Sequence, residues 1–127
     1  MKIKNITVEV KPLKDVLKEA AEAMSEVRKG KSIKARKGLS FGSVESFREF
    51  FTPRRIELLQ VIRHKHPKSI YELAKLTNRD IKSTAVDIKI LEKYGLIDTK
   101  KVHVEGGVGY KVMPVFDYDK LTVDIAV

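Results

Sequence analysis

Apolar and polar residues alternate at the start of the chain. Ile6, Val8 and Val10 are separated by Thr7 and Glu9, the period of a half-buried strand over residues 3–10. The period then lengthens. Leu13, Val16, Leu17, Ala20, Met24 and Val27 recur at three- and four-residue intervals behind Pro12, and Gly30 ends the run. This predicts an amphipathic helix of about 17 residues with a narrow apolar seam, suited to another helix across a dimer axis or to packing within the chain. Residues 28–37 (RKGKSIKARK) bring six cations and no acid, which reads as an exposed connector: either a basic arm along phosphates or a solvated linker.

Signals become denser from residue 39. Ser43 can cap a short helix carrying Val44, Phe47, Phe50 and Phe51. Thr52-Pro53 is a cap followed by a first-turn proline, opening a helix with apolar positions Ile56, Leu58, Leu59, Val61 and Ile62 that ends before Pro67. Ser69 with Glu72 three residues on forms a capping box for a short helix, with Ile70, Leu73, Ala74 and Leu76 inward. Thr77-Asn78-Arg79 turns the chain, Asn78 suiting a left-handed position. Asp80 caps a longer helix running to Tyr94, closed by Gly95. A strand over 96–104, a glycine-rich tip at 105–109 and a return strand over 110–113, stopped by Pro114, read as a β-hairpin. Residues 121–125 alternate again as a final strand, which could pair with the first within one chain or between two.

The expected fold class is therefore mainly α with a small β part (α+β). Residues 1–40 form an N-terminal strand, helix and basic connector with a possible role in dimerisation, 41–114 the main domain, and 115–127 the last strand. A short helix joined to a longer one by a three- or four-residue turn is the unit that sets its second helix in the major groove of DNA. On the 80–94 helix, Ile81, Thr84, Ile88 and Leu91 fall on one stripe, the core side. Lys82, Val86, Lys89 and Lys93 fall nearly opposite, with Ser83 and Ala85 at the edges. Lysines and a hydroxyl suit phosphates and guanine, and small apolar side chains suit thymine methyls. No Arg, Asn or Gln lies between Lys82 and Lys93, so affinity is expected to rest on phosphates and DNA shape, with Arg79 the nearest fork. The bland alternative is a solvated basic face.

Charge sharpens this picture. The 127 residues carry 26 Lys+Arg against 17 Asp+Glu, net +9, with a pI near 9.7. The excess is +6 in residues 1–40 and +4 in 41–95, with −1 in 96–127. Such a field attracts polyanions through counterion release, although a lysine-rich surface also serves solubility. With no cysteine, disulfides and thiolate metal sites are excluded. No apolar run approaches a membrane span or a signal core, so a cytoplasmic protein is expected. His64 and His66 lack a third ligand nearby, Asp117 and Asp119 lack further acids at metal-loop spacing, and Gly106-Gly107-x-Gly109 has no following helix. No nucleophile–base pair stands out. The expectation is no enzyme, no metal and no cofactor.

Three strings carry a resemblance: Ser69-Ile70-Tyr71-Glu72-Leu73-Ala74, Asn78-Arg79-Asp80-Ile81, and Leu91-Glu92-Lys93-Tyr94-Gly95-Leu96-Ile97. Through them residues 52–113 resemble the winged helix-turn-helix regulators, close to the MarR- and ArsR-like groups. The whole chain, with its Phe51-Thr52-Pro53-Arg54-Arg55 junction, looks like a set of uncharacterised predicted archaeal regulators. The resemblance implies a homodimer on pseudo-palindromic double-stranded DNA, acting in transcription regulation. It also implies a wing that sets Lys100, Lys101, His103 and Lys111 against the backbone or minor groove. Glu105 at the tip departs from this, because an acid opposes phosphate. Tyr71 could reach a phosphate or pack in the core. Two further readings keep the fold: a protein–protein module, or an antitoxin-like repressor whose N-terminal element binds a partner protein.

Overall fold

A computed structural model describes residues 4–30, 38–107 and 109–127. The basic connector expected over 28–37 lies mostly outside the described residues. Five helices and five strands in two small sheets are present among the described residues, an α+β arrangement. They divide into two compact units, Met1–Phe50 with Asp119–Val127, and Phe51–Tyr118.

The first unit is a three-stranded sheet. β1 (Asn5–Val10) lies between β2 (Gly38–Phe41) and β5 (Lys120–Ile125), and both neighbours run parallel to it. The first and last strands therefore pair within one chain. Asp119 fixes the register: its backbone N–H donates to the Lys4 carbonyl at 2.8 Å, and its carboxylate accepts from the Lys4 N–H at 3.0 Å. Ile6, Val8 and Val10 are buried on one face of β1, as the alternation requires. α1 (Leu13–Arg28) connects β1 to β2 and buries none of its residues. β2 was not foreseen, because four residues (Gly-Leu-Ser-Phe) after a cationic run carry almost no periodicity. Its first residue must be glycine, since a Cβ there would stand 2.5 Å from the Thr7 carbonyl oxygen. α2 (Val44–Phe50) packs through Phe47 and Phe50 onto Phe41, with ring centroids 5.9 and 5.5 Å apart. Those aromatic contacts pack α2 onto the end of β2.

The second unit is built from α3 (Pro53–Lys65), α4 (Ile70–Leu76), α5 (Ile81–Lys93) and a hairpin of β3 (Asp98–His103) and β4 (Tyr110–Val115). Its core holds Leu58, Leu59 and Ile62 of α3, Leu73 and Ala74 of α4, Ile88 and Leu91 of α5, and Leu96 and Ile97 beyond. Each helix starts on a side-chain cap: Thr52 accepts from Arg55 N–H at 3.2 Å, Ser69 from Glu72 N–H at 3.0 Å, and Asp80 from Ser83 N–H at 3.1 Å. The return bond of the capping box is displaced by one residue, with Glu72 accepting from the N–H of Lys68.

α4 and α5 close alike. Asn78 and Gly95 take positive φ (53° and 81°), after which Arg79 N–H reaches the Ala74 carbonyl and Leu96 N–H the Leu91 carbonyl, six-residue closures of the Schellman type. Two apolar positions assigned inward, Leu76 and Ile81, are exposed instead, as is Ile56. Each lies in the first or last turn of its helix, where packing partners run out. Thr84 is buried as its place on the core-side stripe requires, and so is Thr77 in the turn; both hydroxyls are returned to backbone carbonyls. β4 also continues through Pro114 to Val115, with Thr99 opposite Pro114. A proline is admitted there because each strand of a two-stranded ladder keeps one edge whose N–H groups need no partner.

Candidate nucleic-acid interface

α5 presents two contrasting faces. Thr84, Asp87, Ile88 and Leu91 are buried; Lys82, Val86, Lys89 and Lys93 are exposed, and Ser83 and Ala85 lie half-buried beside them. At 1.5 Å per residue the row from Lys82 to Lys93 is about 16 Å long, a length that several successive phosphates match. Lys93 sits over the Tyr94 ring, 5.7 Å from its centroid, and extends this surface past the helix end. Nothing acidic interrupts the row, because the one acid of the central turns, Asp87, is turned inward to accept from Arg55 Nε at 3.0 Å. Both side chains of that pair are largely buried (16% and 13% exposed), so it braces α5 against α3 at the level of Val86.

Arg79 is placed differently from the rest. Its guanidinium donates to Glu57 at 2.7 Å and is 20% exposed, so it ties the α4–α5 turn to α3 and stands apart from the open row. Tyr71 is exposed, with Lys75 5.3 Å from its ring centroid, which removes it from the core.

The hairpin register divides its cations between two faces. Lys100 and Val102 share a face with Lys111 and Met113, whereas Lys101 and His103 share the other with Val112 and Tyr110. The His103 and Tyr110 rings lie 4.6 Å apart. Lys100 with Lys111, or Lys101 with His103, can front one flat surface, but the four cannot do so together. Glu105 is exposed at the tip. The hairpin is held to α5 by the Thr99 hydroxyl, which donates to Glu92.

One neighbouring feature escaped the sequence reading. A cavity of about 460 Å³ between the start of α3 and α5 is lined by Thr52, Arg54, Arg55, Ser83, Val86 and Asp87. It puts the exposed Arg54 beside the α5 surface. The Thr-Pro-Arg-Arg junction carried the cations in plain view, but only the packing of α3 against α5 brings them to this place.

Among the described residues no group of three or more His, Asp or Glu is gathered to hold a metal ion, and no helix is long and apolar enough to cross a membrane. Among known families, one whose model matches the chain does so over residues 50–123. The chain belongs to the HVO_A0114 family. The stretch matched to the HVO_A0114 family takes in the whole Phe51–Tyr118 unit and runs into β5, leaving β1 and α1 outside. No curated protein and no solved structure matches the chain.

Proposed function

We propose that Phe51–Tyr118 is a winged helix-turn-helix that binds double-stranded DNA, α5 entering the major groove and the β3–β4 hairpin lying on the backbone or minor groove, and that the protein regulates transcription as a homodimer. The observation that carries this reading is the acid-free outward row of Lys82, Val86, Lys89 and Lys93, held out by the buried face of the same helix. The order α3–α4–turn–α5–hairpin and the net charge of +9 support it. Arg54, beside the same surface, extends the phosphate-binding cations onto α3. Arg79, engaged with Glu57, contributes to the geometry of the turn and not to base reading. Recognition is correspondingly weak in bidentate contacts, and specificity comes from DNA shape.

The test is a titration of duplex DNA at several salt concentrations. Lys82→Ala/Lys89→Ala keeps the wild-type circular dichroism and melting, binds more weakly, and lowers the log–log salt slope by about two per protomer. Unchanged affinity and slope would remove α5 as the reading surface. Exposed Val86, an apolar side chain in the centre of the row, favours a second reading in which the same face docks a protein. Retention of a protein partner that Val86→Glu abolishes, with no duplex affinity at low salt, would select it.

A further inference from the structure

We infer that the outward row of α1, Leu13, Leu17, Ala20, Met24 and Val27, is the contact through which two copies of this chain associate. This rests on the homodimer of the preceding reading and adds the surface that makes it. α1 carries two rows. Val16, Glu19 and Ala23 are half-buried and form its inward side, with Glu19 accepting from Lys11 at the end of β1. The other row is Leu13, Leu17, Met24 and Val27, each 55–61% exposed, with Ala20 exposed between them.

Its spacing identifies the kind of partner. Steps of four, three, four and three residues make a strict 3.5-residue repeat, the seam of a helix that winds around another helix. A row meant for a sheet or a globular core is broader and follows the 3.6-residue period. Among the described residues no other helix offers a matching seam: α3 exposes Ile56 alone, and α5 exposes Ile81 and Val86 between lysines. The counterpart is therefore α1 of a second copy.

Charge points the same way. Two molecules of net charge +9 repel each other over most of their surfaces, but α1 carries three cations (Lys14, Lys18, Arg28) against four acids (Asp15, Glu19, Glu22, Glu26). It is a nearly neutral strip on a basic protein, where two copies can close without opposing like fields. Beside the seam Ala21 is exposed and small enough for close approach. In area the contact is modest: one seam about 24 Å long falls well below the ~800 Å² per partner of a standard interface. The dimer is accordingly weak and concentration-dependent, and two half-sites on one duplex would strengthen it.

Sedimentation equilibrium on the full chain, without DNA, decides the matter. The wild type shows a reversible monomer–dimer equilibrium. Leu17→Glu/Met24→Glu and Leu17→Lys/Met24→Lys each weaken it by ~100-fold or more, since two desolvated charges replace two seam layers per copy. Their 1:1 mixture regains dimers whether the helices run parallel or antiparallel, a recovery that a merely structural role for α1 would not produce. Val86→Glu leaves the equilibrium unchanged. A wild type that stays monomeric at millimolar concentration, seam variants that dimerise like wild type, or a mixture that does not recover would each overturn the proposal. The outcome is independent of the DNA reading: a monomeric seam variant still binds a half-site duplex if that reading holds, and a DNA-inert protein still dimerises through α1 if only that reading fails.

Discussion

α1 and α5 are helices of similar length, 16 and 13 residues, with opposite economies of surface. α5 buries Thr84, Asp87, Ile88 and Leu91 and turns lysines to solvent, so its outer face is at rest in water and attracts anions. α1 buries none of its residues and turns two leucines, a methionine and a valine outward, so its outer face is at rest only when covered. Amphipathic periodicity is present in both. It says that a helix has two kinds of face, not which of them the rest of the chain will take.

The sharpest way to break this contrast is a pair of leucine truncations. Leu91→Ala, at a fully buried site in the second unit, should cost about 2–5 kcal/mol, lost hydration free energy plus a cavity. Leu17→Ala should cost the monomer less than about 0.5 kcal/mol, because the side chain is 59% exposed. Urea unfolding at low protein concentration measures both, and equal losses would show that α1 is covered within its own chain. Asp87→Ala comes next. It removes the carboxylate that accepts from the largely buried Arg55 Nε and should cost about 1–3 kcal/mol. Chemical denaturation reads the loss, and duplex affinity should drop with it as the α5 brace slackens.

Ser69→Ala removes one helix cap and should cost about 1 kcal/mol, rescued by Asp at the same position. A Ser69→Ala melt indistinguishable from wild type would mean that the displaced Glu72–Lys68 bond holds the start of α4 alone. The smallest effect concerns the link from β1 to α1. Lys11 donates to Glu19 and to Glu9, the latter at 2.8 Å, and these bonds raise its pKa above the usual lysine value of 10.5. A raised pKa means that the charged form is favoured in the folded state, so the stabilisation is present at neutral pH and fades as pH climbs through and beyond 10.5. The stability gap between wild type and Lys11→Met should narrow over that range in pH-dependent melts. A gap that is constant from pH 8 to 11 would mean that packing of the Lys11 stem, not its charge, makes the link.

Most of the element boundaries were legible because they are written in local chemistry. Thr52-Pro53, Ser69, Asp80, Asn78 and Gly95 act on backbone groups within a few residues of themselves, so their meaning survives without knowledge of the fold. The lysine row of α5 was legible for the same reason, since one helical period fixes which side chains share a face. What lay beyond reading depends on partners distant in sequence. β2 exists because Thr7 and Phe41 lie on adjacent strands, and α2 packs onto its end because three aromatic rings meet there. Arg79 is drawn to Glu57, and Asp87 to Arg55, across 22 and 32 residues.

The sequence by itself determined the local matters: where helices start and stop, which residues line each face, and that the chain is basic. Only the tertiary structure decided that the two terminal strands lie parallel in one sheet, that the hairpin cations face two ways, and that α5 keeps its apolar face while α1 shows its own. The physical reason is range. Caps and turns are satisfied by neighbours along the chain, whereas burial depends on what the folded chain happens to place opposite.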